Sequence, residues 1–176
     1  MKPSAAQLCL RPYEEGDLQA VVSLFYDTIH SVNLKDYSPE QADAWAPKKP
    51  DLSRWQGLLK GEDTWVAVQD GRIVGFANRD GEYFDCLYVH KDYQRRGVAK
   101  ALAERIEGRA AAEGHAKIRT NASLTARPFF EQRATPSSAA VRSSGRTSPG
   151  QFRHGAFYTK ITQALCPAKQ GKEPAL

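Results

Sequence analysis

Two short stretches of the sequence carry residue types that could do chemistry. At positions 94–97, Gln-Arg-Arg-Gly separates the strand-like run "FDCLYV" from the alanine-rich, helix-like run "VAKALAERIEGRAAA". A helix start carries unpaired N–H donors and about half a unit of positive charge, so it takes up phosphate readily. Gly97 would let the backbone approach an anion without a Cβ clash, and Arg95, Arg96 and Lys100 add charge. The alternative is a solvated basic turn. A nucleotide P-loop is excluded because GxxxxGK[ST] is absent, and a dinucleotide fold because GxGxxG is absent.

The second stretch is the run just before it. Asp85 is an acid among Tyr83, Phe84, Cys86, Leu87, Tyr88 and Val89, and an acid in such a strand could act as a base. Strict alternation would put Tyr83, Asp85 and Leu87 on one face and Phe84, Cys86 and Tyr88 on the other. The competing role for Asp85 is a structural pair with Arg119. Cys86 reads as a buried core thiol, since nothing nearby in sequence supplies it with a base. Four histidines and three cysteines share no metal-ligand spacing, so no metal is expected. His90 and His115 read as exposed strand ends.

Helices and hairpins must position these groups. "LCLRPY" reads as an edge strand restricted by Pro12. A helix follows, with Leu18, Val21, Val22, Phe25 and Ile29 at helical spacing and Asp17 as its N-cap. A second starts at Ser38-Pro39 with Gln41 completing a capping box and Pro47 as a stop; a third opens at Asp51 or Ser53. The Asp-Gly pairs in "QDGR" and "RDGE" then predict three antiparallel strands, Thr64–Gln69, Arg72–Arg79 and Tyr83–His90. After the basic turn come a helix, the strand "HAKIRTNAS", and a short helix in "LTARPFFEQR" with Phe129 and Phe130 inward.

The whole chain is 176 residues with 41% hydrophobic content, enough for one domain with a core. A net charge of +5 favours anionic partners, whether nucleic acid, a membrane surface or a phosphorylated cofactor. No run reaches the roughly 18 apolar residues of a membrane span, and the N-terminus lacks a long apolar signal segment. With few, widely spaced cysteines this predicts a soluble, cytoplasmic protein.

"LYVHKDYQRRGVAKAL", together with this order of elements, resembles the acetyl-CoA-binding motif of the GNAT superfamily of N-acyltransferases. The resemblance covers Leu8 to about Arg133. It implies an α/β (α+β) fold: a mixed, mostly antiparallel sheet with a splayed parallel strand pair and helices on both faces. "HAKIRTNAS" would then run beside "FDCLYV". It also implies acetyl-CoA as co-substrate, with the N–H groups of Arg95, Arg96, Gly97, Val98 and Ala99 on the pyrophosphate. Leu87 and Val89 would pair through their backbones with the pantetheine arm like an added strand. Tyr88, Gln94, Lys100, Asn121, Phe129 and Phe130 complete the implied cofactor contacts. Two departures stand out: His90-Lys91 replaces a frequent proline, and Ala99 replaces the second glycine.

The implied activity is acetylation of an amine on a small molecule, a peptide being the less favoured acceptor. A neutral amine and a base are required; Asp85 is the expected base, directly or through water. The family's tyrosine acid falls on Phe130, which has no proton to give, so Ser123 or a water would meet the thiolate. Acceptor contacts are expected from the early helices, at His30 and Tyr37; "HSVNLKDYSPEQADAWAP" looks like a bacterial GNAT subgroup. Two rival readings remain: a CoA-binding relic without catalysis, and a basic nucleic-acid-binding module. The second is disfavoured because the basic residues lack interleaved aromatics. A homodimer is an open alternative.

The expected domain spans residues 8–165, with disordered ends at 1–7 and 166–176. Within it, 134–150 should be irregular, since "ATPSSAAVRSSGRTSPG" offers one branched aliphatic residue to a core. Codons for Ala-Thr-Pro-Ser-Ser exist that, read one base earlier behind a G, spell Gly-Tyr-Thr-Val-Val, a strand-like string. Residues 134–149 are therefore expected to be either an out-of-frame segment or a natural insertion, and the coding DNA distinguishes the two.

Overall fold

Cys9–Pro12 (β1) enters the sheet at its edge, where Pro12 costs no ladder bond. The computed structural model describes residues 7–134 and 158–161, the last four as backbone alone. Leu18–Ile29 (α1), Pro39–Trp45 (α2) and Leu52–Gly61 (α3) follow β1. The starts of the last two match the sequence. Ser38 Oγ accepts from the Gln41 N–H while Gln41 returns a bond to the Ser38 N–H, and Asp51 caps the Arg54 N–H. Asp17 precedes α1 as expected, but its carboxylate does not cap. Instead it takes both Arg11 guanidinium nitrogens, at 2.6 and 2.8 Å, tying β1 to the helix start.

The three strands expected from the Asp-Gly turns are Asp63–Gln69 (β2), Arg72–Asp80 (β3) and Tyr83–Val89 (β4). Asp70 and Gly71 both take positive φ, 53° and 72°, the geometry of a two-residue hairpin turn. Val98–Ala112 (α4), Ile118–Thr120 (β5), Arg127–Arg133 (α5) and Tyr158–Ile161 (β6) complete the order. The sheet runs β1-β2-β3-β4-β5-β6, antiparallel through β4. β4 and β5 are parallel, as expected. β5 and β6 are also parallel, a second such pair that the sequence had not suggested. The segment expected to be irregular or out of frame lies outside the described residues, apart from Ala134.

Helices cover both faces. On one, Val98, Leu102 and Ile106 of α4 and Phe130 of α5 pack with Ala67, Val74, Ala77 and Phe84. On the other, Val21, Phe25 and Ile29 of α1 pack with Trp45, Leu59, Val66, Phe76 and Cys86. The alternation expected for β4 therefore fails at one point. Asn78 pairs with Cys86 and Arg79 with Phe84, which leaves Asp85 as an extra, bulged residue. A bulge reverses which face successive side chains take. Phe84 joins the α4 side, whereas Cys86 and Tyr88 join the α1 side.

Helix α4 lies close on β3 because residue 75 is glycine. A Cβ there would stand 2.9 Å from Val98 Cγ1 and 3.1 Å from both Leu102 Cδ1 and the Tyr88 carbonyl oxygen. Gly75→Ala should therefore destabilise the protein by about 1–3 kcal/mol and push the start of α4 off the sheet. Urea denaturation measures the first effect; an unchanged midpoint would mean that α4 is free to shift.

Candidate functional site

β4 and β5 touch only briefly. Their register pairs Tyr83 with Arg119 and Phe84 with Thr120, and Thr120 Oγ1 closes on the Phe84 carbonyl at 2.9 Å. Beyond that point β4 stays paired with β3, but among the described residues β5 no longer pairs with it. The Val89 carbonyl faces the opened side, because Gln94 Nε2 donates to it at 2.6 Å and Thr28 Oγ1 at 3.3 Å. Ladder alternation turns the N–H and C=O of Leu87 the same way. Among the described residues no strand pairs with β4 on this side at Leu87 and Val89, and an extended amide-bearing chain could pair with it there.

Just past this edge the backbone bends into a cradle. Lys91–Tyr93 form one 3₁₀ turn, Arg95 takes φ 61° and Gly97 φ 83°, and α4 begins at Val98. Two left-handed residues within three positions bend the backbone so that successive N–H groups can line one concave side, a nest for anions. Among the described residues no acceptor answers the N–H groups of Arg95, Arg96, Gly97, Val98 or Ala99. Arg95, Arg96 and Lys100 are exposed around it; Arg96 lies 5.3 Å over the Tyr93 ring, and Lys100 stands 3.9 Å from Glu104. Gly97 is the position that cannot readily change, since an L side chain is strained at that φ.

Two hollows meet at β4. A slot of about 40 Å³ lies between the parted strands, lined by Phe84, Asp85, Leu87, Asn121, Ser123 and Phe130 among others. A cleft of about 820 Å³ lies on the α1 side, walled by Phe25, Tyr26, Trp45 and Trp55 and floored by Asp85, Cys86 and Tyr88. Trp45, Asp85, Cys86 and Tyr88 line both. Asp85 thus stands where a group in the slot and a group in the cleft would meet, and the bulge is what turns it there. Its suggested structural partner, Arg119, pairs with Glu82 instead. Asp85 Oδ2 is 3.8 Å from the Cys86 thiol.

The other expected site residues fall into two sets. Asn121 and Ser123 line the slot; Ser123 Oγ accepts from the Ala126 N–H at 3.1 Å, which leaves its own proton to donate elsewhere. Phe130 is buried edge-on against Phe84 at 5.5 Å, and Phe129 packs beside it under Arg133. His30 and Tyr37 stand one layer behind the cleft. His30 stacks on Tyr26 at 4.1 Å and bonds Asp43 at 3.1 Å; Tyr37 packs edge-on against Trp45 at 5.2 Å. The Tyr37 hydroxyl accepts from the Leu124 N–H at 2.8 Å, joining the segment before α2 to the loop after β5. The wall residues Tyr26, Trp45 and Trp55 were missed because an aromatic stripe at helical spacing looks like core.

His90 was expected to be exposed. It is 7% exposed, packed edge-on against Tyr93 with Arg72 Nη2 at 3.1 Å from its Nε2. Burial, then the Arg72 charge, lowers its pKa below the usual 6.5. The unfolded chain binds a proton at a pH where the folded one does not, so stability falls as pH drops below about 6.5. Wild type should lose more melting temperature than His90→Gln between pH 7.5 and 5.5; equal losses would exclude His90.

Known proteins share this fold. Residues 33–133 match the acetyltransferase (GNAT) domain family. The chain is 37% identical over 123 residues to an uncharacterized N-acetyltransferase, YafP, of Escherichia coli strain K12, covering 70% of this chain and 77% of that one. A GCN5-related N-acetyltransferase structure from Rhodopseudomonas palustris superposes with a TM-score of 0.70 at 35% identity, covering 76% and 83%. The PaiA N-acetyltransferase of Thermoplasma acidophilum, solved in complex with coenzyme A, shares the fold at 15% identity and a TM-score of 0.66, over 73% and 89%.

Proposed function

The chain belongs to the GNAT acetyltransferase family, and from that premise we propose that it transfers an acetyl group from acetyl-CoA to the amine of a small molecule. The observation that carries this reading is the unanswered row of N–H groups from Arg95 to Ala99, set directly beyond an open strand edge. A pyrophosphate fits the first and an amide-bearing arm fits the second. Gln94 and Thr28 hold the Val89 carbonyl in place, while Leu87 offers its N–H and C=O to the arm. Asn121, Phe129 and Phe130 belong to the far wall of the slot and to the helix behind it.

Acetyl-CoA supplies the acyl group as a thioester. Asp85, at the junction of slot and cleft, takes the proton from the attacking amine directly or through one water. The new C–N bond forms as the C–S bond breaks, and the sulfur keeps the bonding electrons. Ser123, whose oxygen is already held by the Ala126 N–H, gives the thiolate a hydrogen-bond donor. Phe130 excludes water from the slot rather than giving up a proton.

Gly97→Glu should abolish acetyl-CoA binding by calorimetry while leaving the melting temperature within a few degrees. It adds both backbone strain and a carboxylate facing the pyrophosphate; unchanged affinity would remove the cradle from this reading. Asp85→Asn should lower kcat by about 10²–10⁴ at neutral pH with little change in cofactor affinity. Matching pH–rate profiles for variant and wild type from pH 6 to 9 would exclude Asp85 as the base.

A further inference from the structure

The charges of the 820 Å³ cleft are sorted by side. Two of its three carboxylates stand on α1 and β4, Asp27 on the first and Asp85 on the second, at the junction of slot and cleft. Its cations Lys48, Lys49 and Arg54 stand together on other elements, along the α2–α3 connection and the first turn of α3. Asp51 lies among them and caps the Arg54 N–H through Oδ1 at 3.0 Å, so this wall carries three cations against one carboxylate. Lys48 and Lys49 are exposed and meet no carboxylate among the described residues. Between the two charged regions the walls are aromatic: Phe25 packs on Trp55 at 4.8 Å and on Tyr88 at 4.9 Å, with Tyr26 and Trp45 beside them.

We propose that the acceptor is an amine that also carries an anionic group, with an apolar body separating the two. This rests on the acetyl-transfer reading above, since that reading fixes which end of the cleft the amine enters. The ammonium form is drawn to Asp27 and Asp85; it gives one proton to solvent before attack, and Asp85 takes the second as the C–N bond forms. The body lies along Phe25, Trp55 and Tyr88. The anion, a carboxylate or a phosphate, reaches Lys48 and Lys49, two flexible cations that can hold it, with Arg54 beside them. A plain alkylamine would leave that wall unanswered, and a polyamine would be repelled by it.

The test compares amines in matched pairs: 6-aminohexanoate with hexylamine, 4-(aminomethyl)benzoate with benzylamine, and O-phosphoethanolamine with ethanolamine. In each pair CoA release is followed with acetyl-CoA present, and binding of the amine to the CoA complex is followed by calorimetry. The anionic member of at least one pair should have a kcat/KM about tenfold or more above its neutral partner, and this ratio should shrink with added salt. The first two pairs succeeding identifies a carboxylate end, the third a phosphate end. In K48A/K49A the ratio should fall about tenfold towards unity. In K48E/K49E it should invert in favour of hexane-1,6-diamine over 6-aminohexanoate. Neutral members turned over as well as anionic ones, or a ratio unaltered by K48A/K49A, overturns the proposal and leaves acetyl transfer standing. Anionic amines that bind without any CoA release support the anion wall and overturn acetyl transfer. No binding and no turnover from any pair overturns the proposal.

Discussion

Where β4 and β5 part, after the pairing of Phe84 with Thr120, a sheet edge is opened inside the protein rather than at its margin. An unpaired edge in such a place leaves backbone polar groups without partners, and each buried one costs of the order of 1–3 kcal/mol. Much of the surrounding structure keeps that edge open and partly satisfied. Thr120 Oγ1 closes the last paired carbonyl, and Thr28 and Gln94 share the one at Val89. Phe130 stands against Phe84 beside the fork, so the slot has an apolar wall that does not compete for hydrogen bonds. The bulge at Asp85 sits one residue past the fork and delivers an acid to it.

Among the described residues, two side-chain hydrogen bonds join the segment before α2 to the loop after β5 across this opening. Tyr37 reaches from the segment before α2 to the Leu124 N–H, and Asp36 accepts from Thr125 Oγ1 at 2.7 Å. Both bind the loop after β5, whose neighbours Asn121 and Ser123 line the slot. At the other end of the hairpin, Arg79 is only 3% exposed and joins Asp63 to Glu113, fastening the end of α4 to the sheet. α4 is thus fixed at both ends: by ion pairs near Glu113 and by the close approach at Gly75 under Val98. The cradle at its first turn inherits that rigidity.

Much of this was legible in the sequence, because the signals were local. Ser38-Pro39 with Gln41 specifies a helix start within four residues, and Asp70-Gly71 specifies a hairpin within two. Gln94 to Gly97 announced the cradle because strand, glycine and helix adjoin it directly. What was not legible depended on residues distant in sequence. The bulge at Asp85 has no turn residue to mark it; it exists in the register between β3 and β4. His90 is buried because Arg72 and Tyr93 close over it, and Arg72 lies on another strand. The periodicity of α1 indicated that Tyr26 and His30 share a side, but not which of them meets the cleft and which stands behind it.

On the proposed reading, the donor half of this site is built mainly from main chain, and the acceptor half from side chains. Arg95, Arg96 and Ala99 offer their N–H groups whatever side chains they bear, so that half tolerates substitution as long as Gly97 and the bend persist. In the cleft the reverse holds, because the identities of Phe25, Lys48, Lys49, Arg54 and Trp55 set its shape and charge. A few changes along residues 48–55 would therefore retune which molecule is received without disturbing the donor. In evolutionary terms, such a scaffold can diversify its customers by small steps while its currency stays the same.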